Sequence, residues 1–151
     1  MPSMKILLIA GGWSSEREVS LTGARGMQEA LLKRGHAVTF FDLLENFDEL
    51  LETARQHDFA LINLHGSPGE DGLVQAMLEK AGCPYQGSGP SGSFLALNKA
   101  AAKQIFRMAG LPTADWEFLP VRPAEGWEPR LPWPLFVKTT TGGSSLRLGR
   151  A

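Results

Sequence analysis

Short runs of consecutive apolar residues alternate along the chain with longer segments in which apolar residues recur every three or four positions. The runs lie at 5–10 (KILLIA), 37–42 (AVTFFD) and 58–64 (DFALINL). Because short continuous apolar runs are typical of strands buried on both faces, they predict strands. The segments that follow them predict helices over 16–33, 47–56 and 73–80. This α/β alternation predicts a parallel sheet with helices on both faces, joined by right-handed crossovers.

The Gly/Ser-rich segment 87–93 (GSGPSGS) is the clearest break in composition. It predicts a boundary between a first domain at residues 1–92 and a second structural unit at residues 93–151. In the second unit the pattern predicts a helix over 93–108 and short strands over 116–119 and 135–138. Residues 120–134 hold five of the ten prolines, which indicates a surface loop.

Composition narrows the class of protein. The chain has 151 residues, of which 43% are hydrophobic, and a net charge of −1. A core is therefore expected, and a dedicated nucleic-acid-binding protein, which would carry a basic footprint, is not. No apolar run approaches the ~18 residues that span a bilayer, and the single cysteine, Cys83, excludes an internal disulfide. These features predict a cytoplasmic protein that does not bind a membrane.

Charge is distributed unevenly along the chain. Residues 1–97 hold 7 basic and 12 acidic side chains, whereas residues 98–151 hold 8 basic and 4 acidic ones. The asymmetry suggests that the second part meets an anionic ligand, and scattered solvated charges are the alternative.

In parallel α/β sheets, ligands bind where the strands end, so the loop after the first strand is a candidate site. It has the sequence GGWSSERE over residues 11–18, which is not a dinucleotide fingerprint. Ser15 and Glu18 match a capping box. Glu16 stands at the rim of the sheet, where it either meets a ligand's ammonium group or complements the helix dipole.

The loop after the third strand, HGSPGEDG over residues 65–72, supplies an imidazole and two carboxylates. A histidine in this position can bind a carboxylate when protonated or move a proton near neutral pH. We predict a functional role for His65 and Glu70, the alternative being a simple turn. Asp71 is predicted to cap the helix that follows.

A third constellation combines lysines with a Gly/Ser/Thr-rich segment. Lys99 and Lys103 lie one helical turn apart, and Lys138 precedes TTTGGSS over residues 139–145. Such a loop beside a lysine can hold phosphate through backbone N–H groups and a fixed positive charge, although the order differs from that of a P-loop. Solvated surface lysines are the alternative. Cys83 is predicted to be buried, His36 and His57 to lie at helix ends, and no Cys/His spacing indicates zinc.

Taken in order, these strings resemble the D-alanine–D-alanine ligase family, whose members are ATP-grasp enzymes of peptidoglycan precursor synthesis. The matching strings are GGWSSEREVSLTGA, LHGSPGEDGLVQAMLE, CPYQGSGPSGSFLALNKAAAKQIF, AGLP and FVKTTTGGSS. The resemblance implies a Rossmann-like pre-ATP-grasp domain followed by the start of an ATP-grasp α+β domain. It implies ATP-dependent joining of two D-alanines through an acyl phosphate.

The resemblance also assigns roles by position. Glu16 corresponds to the acid near the first D-alanine's ammonium group, and Ser144 to the serine through which that acid holds the active-site lid. His65 corresponds to the histidine at the substrate carboxylate, with Glu70 supporting it. The ATP-binding positions that the resemblance implies are Lys99, Lys138, Gly142, Gly143 and Ser145.

The resemblance also has implications for the metal ligands, the adenine pocket and the oligomeric state. The Mg²⁺ ligands and the adenine pocket are expected past residue 151, so the chain is expected to be a truncated and inactive fragment with no metal ligands of its own. The family resemblance implies a homodimer. Asn98 stands where the family commonly has Asp, a change expected to have little effect. The alternatives are a D-alanine–D-lactate or other D-amino-acid ligase, and a non-catalytic module that binds a small ligand.

Overall fold

The computed structural model of the chain describes residues 2–142 and 149–150. The chain divides into two units, Met1–Phe94 and Leu95–Ala151. In the first unit, three strands form one parallel sheet in the order β2-β1-β3. The strands are β1 (Lys5–Ala10), β2 (Ala37–Asp42) and β3 (Phe59–Asn63). The predicted parallel sheet is therefore confirmed, with β3 one residue shorter at each end than its apolar run.

Helices cover both faces of this sheet, as the sequence pattern predicts. The helix α1 (Arg17–Lys33) packs Ala24 against Leu8 and Ala10 on one face. On the opposite face, Leu7 and Ile9 join the larger cluster of buried residues. The elements on that opposite side are α2 (Leu43–Asn46), a 3-10 helix (Phe47–Glu49), α3 (Leu50–Ala54) and α4 (Leu73–Ala81).

The segment between β2 and β3 differs from the single helix predicted over 47–56. Helical structure begins at Leu43, because the Asp42 carboxylate accepts a hydrogen bond from the Leu44 N–H at 3.1 Å and caps α2. The helical segment is then interrupted by the 3-10 turn over Phe47–Glu49 before α3. The sequence prediction therefore missed an early start and a break.

The outer edge of β3 is covered by the segment after α4. Tyr85 forms an isolated parallel bridge with Ala60. Next to it, the Gln86 side chain binds the edge of β3 as a neighbouring strand would. Its oxygen accepts from the Ile62 N–H at 3.0 Å, and its amide group donates to the Ile62 carbonyl at 2.6 Å. Both edge groups of Ile62 are satisfied by one side chain.

The predicted helix over 93–108 is divided into α5 (Pro90–Leu97) and α6 (Lys99–Met108). Asn98 is extended between them, and its side-chain oxygen accepts from the Ala101 N–H at 3.1 Å. This capping bond starts a new helix and explains why a continuous helix was a wrong prediction. It also shows Asn98 in the capping role that an aspartate would fill.

The rest of the second unit has little regular structure. Residues 116–119 form no strand, which corrects that prediction, and residues 120–134 are the predicted loop. The strand predicted over 135–138 is confirmed in part as β4 (Phe136–Val137), which pairs antiparallel with β5 (Gly149–Arg150).

Large apolar side chains are exposed in the described part of the second unit. The helix α6 contains no buried residue. Met108 is 82% exposed and Phe136 is 67% exposed. Within residues 2–142 and 149–150, no helix has both the length and the apolar content needed to cross a bilayer.

Candidate functional site

Two loops leave the sheet side by side at its carboxyl edge. Ala10, the last residue of β1, is in register with Asn63, the last residue of β3. The chain after Ala10 leads to Glu16, and the chain after Asn63 leads to His65. Because parallel strands end at the same edge, the topology alone brings these two loops together.

The first loop turns on Gly11 and Gly12, both of which have positive φ angles. Ser14 then closes the turn, since its hydroxyl accepts from the Glu16 N–H at 3.1 Å and its carbonyl accepts from the Arg17 N–H at 3.2 Å. The capping box predicted for Ser15 and Glu18 is wrong. The helix begins at Arg17 without a side-chain cap from Glu16, because Ser14 already satisfies the neighbouring N–H groups.

The Glu16 carboxylate lies against the second loop. Its Oε2 atom is 3.7 Å from the position that a β-carbon on Gly66 would occupy. Gly66 is buried and has a φ angle of +65°. Its N–H donates to the Glu70 carboxylate at 3.0 Å. Glu16 and Glu70 therefore approach the same glycine, which directly follows His65. We call Glu16, His65, Gly66 and Glu70 the rim site.

Within the described residues, the His65 ring and the Glu16 carboxylate make no side-chain hydrogen bond to another residue. Both groups are only partly buried. A carboxylate can pair with an ammonium group, and an imidazole can bind or protonate a carboxylate. The rim site therefore has the chemistry to hold a small zwitterion.

The second loop is braced from within. The Glu70 N–H donates to the Gly66 carbonyl at 2.7 Å, and the Ser67 hydroxyl bonds the Asp71 carboxylate. Asp71 also accepts from the Leu73 N–H at 3.0 Å, so it binds the first residue of α4 from one position before the N-cap, which is Gly72 and not the predicted Asp71. The Asp71 carboxylate is therefore occupied by structural hydrogen bonds, and we do not include it in the rim site.

Gln75 is a further support of this loop that the sequence did not predict. It is a buried polar residue on α4, and its amide group donates to the Gly69 carbonyl at 2.6 Å. The signal in the sequence is that this glutamine lies among apolar residues on the inner face of α4. Positions on the inner face of a helix are expected to be apolar.

In the second unit, Lys99 contacts the first part of the predicted phosphate loop. Its Nζ donates to the Gly142 carbonyl at 2.8 Å, and its N–H donates to the Thr140 carbonyl at 2.9 Å. Lys138 is exposed just after β4. The remaining predicted positions, Gly143, Ser144 and Ser145, lie outside the described residues.

Lys103 does not join this group. Its Nζ donates to the Thr113 hydroxyl at 3.0 Å and to the Ala114 carbonyl at 2.7 Å. These bonds tie α6 to the chain that follows it, so the charge of Lys103 is used structurally. Of the two helical lysines, only Lys99 faces the 140–142 segment through its side chain.

The remaining reactive side chains have structural roles. His57 lies at the end of α3, where its Nδ1 is 2.7 Å from the Thr53 carbonyl. Cys83 is 4% exposed, and burial raises the pKa of its thiol, with a smaller contribution from Asp58. Among residues 2–142 and 149–150, no group of three or more His, Cys, Asp or Glu side chains could hold a metal ion.

Comparison with known proteins decides the family. Over 98% of its length the chain is 78% identical to a D-alanine–D-alanine ligase of Desulfovibrio desulfuricans, of which it covers 48%. The chain belongs to the D-alanine–D-alanine ligase family. It spans about half the length of the curated relatives it matches. No family model matches the chain.

Solved structures of D-alanine–D-alanine ligases have the same fold. A ligase from Bacillus anthracis superposes with a TM-score of 0.82 at 37% identity, covering 99% of this chain and 49% of that one. A structure of a Bacillus anthracis ligase in complex with ATP also gives a TM-score of 0.82 at 36% identity, with coverages of 99% and 51%. The family resemblance and the fold class predicted from the sequence are both confirmed.

Proposed function

We propose that this chain carries the binding site for the first D-alanine, and part of the ATP site, of an enzyme that joins two D-alanines for peptidoglycan precursor synthesis. The observation that carries the proposal is the approach of the Glu16 carboxylate to Gly66, directly after His65. This juxtaposition supplies an anionic and an imidazole group at one edge of the sheet, which is what a small amino acid requires at its two ends.

In this proposal Glu16 receives the ammonium group of the first D-alanine and His65 its carboxylate. Glu70 holds the Gly66 N–H and so fixes the turn on which His65 stands. Ser144 keeps the catalytic role that the family resemblance implies for it. The chain itself supplies a side chain for each of these four roles.

For ATP we propose Lys99, Lys138, Gly142, Gly143 and Ser145. Support comes from the Lys99 side chain, which already reaches the Gly142 carbonyl, and from a relative of known structure that was solved with ATP. A lysine and backbone N–H groups together can neutralise and orient a transferring phosphate. The positive net charge of residues 98–151 agrees with an anionic ligand.

The reaction has two steps. A carboxylate oxygen of the first D-alanine forms a bond to the γ-phosphorus of ATP, and ADP leaves with the electron pair of the broken P–O bond. The amine of the second D-alanine then attacks the acyl carbon. The tetrahedral intermediate expels phosphate, and the amine proton is released, which leaves a peptide bond. Preorganised groups at the reacting atoms provide the catalysis.

The described residues do not fit a magnesium site, because they contain no cluster of metal-binding side chains. We propose that the Mg²⁺ which the family resemblance implies takes its ligands from outside the described residues.

We further propose that the 151 residues alone do not turn over substrate, and that they act in the cytoplasm, where ATP is available. Support for the first point comes from apolar side chains of the second unit that lie open to water, such as Met108 and Phe136. Exposed apolar surface of this kind marks a contact with further protein. The homodimer stays a prediction from the family resemblance.

The test uses the whole chain fused to the part of the Desulfovibrio desulfuricans ligase that it does not cover. ATP-dependent phosphate release and D-alanyl-D-alanine are measured with D-alanine. We expect turnover and dipeptide in the fusion and none in the 151-residue chain. D-alanine binding without turnover in the fusion would indicate a binding module.

The rim site is tested in the same fusion with a matched pair of variants. Glu16→Gln removes the charge that receives the ammonium group, so we expect kcat/KM for D-alanine to fall by about 10-fold to 100-fold. Glu18→Gln changes the same residue type at an exposed position two residues away and should leave kcat/KM unchanged. Equal effects of the two variants would contradict the assignment of Glu16.

A further inference from the structure

The first turn of α1 is tied to the end of β2 by a two-pronged ion pair. Arg17 Nη1 donates to Asp42 Oδ1 at 2.7 Å, and Arg17 Nη2 donates to Asp42 Oδ2 at 2.6 Å. Nη1 also reaches the Gly12 carbonyl at 3.3 Å. Because an arginine fork on a carboxylate fixes direction as well as distance, this contact sets the orientation of the helix start.

The same turn is tied to the end of β3 by a buried pair. The Ser20 hydroxyl accepts from the Gly11 N–H at 2.8 Å and donates to the Asn63 carbonyl. In return, the Asn63 amide group donates to the Ser20 carbonyl at 2.7 Å. Ser20 is fully buried, and its own N–H donates to the Glu16 carbonyl at 3.1 Å.

These two contacts come from one row of residues across the sheet. Asp42, Ala10 and Asn63 are in register at the carboxyl ends of the three strands. The outer two are polar and hold α1, while the central alanine leaves room for the helix to approach. Gly11 completes the arrangement, since a β-carbon there would lie 2.5 Å from Arg17 Nη1 and 2.6 Å from Asp42 Oδ1.

We propose that Arg17 is a positioning residue for D-alanine: its fork on Asp42 fixes the first turn of α1 so that the Glu16 carboxylate stays beside Gly66. Glu16 immediately precedes Arg17, and no side-chain cap of its own holds it. Ser20 and Asn63 anchor the other flank of the same turn. The inference rests on the proposed function, because it assumes that Glu16 is the group that receives the substrate.

The first measurement follows amide hydrogen exchange by NMR in the 151-residue chain. Arg17→Lys keeps the charge but cannot form the fork, so exchange at the Glu16 and Arg17 N–H groups should become roughly tenfold faster. The Ala60 N–H, which donates to the Pro84 carbonyl at 2.8 Å, is the internal reference and should not change. Arg25→Lys, at an exposed position on the same helix, is the control. Unchanged exchange at Glu16 and Arg17 would overturn the proposal.

The second measurement is a double-mutant cycle in the fusion. Arg17→Lys alone should lower kcat/KM for D-alanine by about tenfold or more and leave KM for ATP unchanged. In a Glu16→Gln background the same change should have little further effect, because Arg17 acts through Glu16. A role in stability alone would instead give equal effects in both backgrounds, and that result would overturn the proposal.

The outcomes separate the two levels of inference. If Glu16→Gln leaves D-alanine kinetics unchanged, the proposed function fails. If Glu16→Gln is impaired but Arg17→Lys is not, only the positioning role fails. Should Arg17→Lys not fold, Asp42→Asn removes the same ion pair while keeping the shape of the side chain, and the same two measurements apply to it.

Discussion

Gly66 and Glu70 hold each other through two hydrogen bonds. The Gly66 N–H donates to the Glu70 carboxylate at 3.0 Å, and the Glu70 N–H donates to the Gly66 carbonyl at 2.7 Å. The turn that carries His65 is thus closed by its own residues, and one side chain is responsible for half of the closure.

Glu70→Ala should therefore loosen the turn, although Glu70 itself has no proposed contact with the substrate. We expect KM for D-alanine in the fusion to rise by about tenfold, which corresponds to the loss of one hydrogen bond to a charged group. Glu70→Gln keeps an oxygen acceptor for the Gly66 N–H and should have a much smaller effect. If Glu70→Gln is as impaired as Glu70→Ala, the charge and not the hydrogen bond is what matters.

Gly66→Ala tests whether the space between the two loops is needed. An added β-carbon would lie 3.4 Å from the Ser14 β-carbon and 3.7 Å from Glu16 Oε2, at a φ angle of +65°. Gly82→Ala is the matched control, since its φ angle is +74° and nothing lies within 4 Å of its β-carbon position. Both variants should lose about 1–2 kcal/mol in urea unfolding, because both force a left-handed alanine.

Only Gly66→Ala should also raise KM for D-alanine in the fusion, because only its methyl group contacts the rim site. Equal KM values in the two variants would show that the site tolerates the methyl group and that Glu16 is not confined by Gly66.

The ion pair of Arg17 and Asp42 predicts a pH dependence of stability. The hydrogen bond from Arg17 lowers the pKa of Asp42 below its usual value, and it outweighs the opposing effect of burial. A carboxyl group whose pKa is lower in the folded state than in the unfolded state stabilises the fold fully at pH values above its unfolded-state pKa, which is about 4. This contribution is lost as the pH falls through the folded-state pKa. Glu18 and Glu45 also face the Arg17 charge.

We therefore expect the stability difference between the wild-type chain and Asp42→Asn to be constant from about pH 7 to pH 5 and to shrink below about pH 4. Urea unfolding of the 151-residue chain at several pH values measures it. The difference between the two proteins removes the common effect of the other carboxyl groups. A difference that persists unchanged at low pH would show that the charge of Asp42 is not the source of its contribution to stability, because Asn keeps the shape of the side chain.

Asn98 predicts a local effect on α6. Replacing its side chain by alanine removes the cap on the Ala101 N–H and should cost about 1 kcal/mol of local helix stability. Amide exchange at Ala101 should then become roughly fivefold faster. Asn98→Asp retains an acceptor oxygen and should preserve protection, in keeping with the aspartate that the family commonly has there. Loss of protection in Asn98→Asp would contradict the capping role.

Much of the first unit follows from its sequence because its strands are continuous apolar runs. β1 and β2 have the predicted bounds, and α1 and α4 differ from prediction by one residue. The wrong predictions fall where a single polar side chain decides the local structure. Ser14 rather than Ser15 satisfies the N–H groups before α1, and Asn98 starts a new helix inside an apolar stretch. Such choices depend on competing hydrogen bonds that apolar periodicity does not reveal.

The residues in and around the rim site also divide into those that the sequence predicts and those that it does not. Glu16, His65 and Glu70 were predicted because loops at the ends of parallel strands are where ligands bind. Arg17, Ser20 and Asn63 were missed because a polar residue in a helix or at a strand end usually faces water. The available signal was the pair of polar residues, Asp42 and Asn63, that end two otherwise apolar strands. Their importance appears only when register places both beside Ala10.

The Gln86 side chain has a consequence for how copies of this protein meet one another. Unpaired groups on an outer strand act as a template on which a neighbouring polypeptide can add a further strand. At Ile62 both groups are already engaged by Gln86, and Tyr85 bridges Ala60 beside it. Growth of the sheet between molecules is thereby blocked along β3, so Gln86→Ala should promote self-association of the chain from this side.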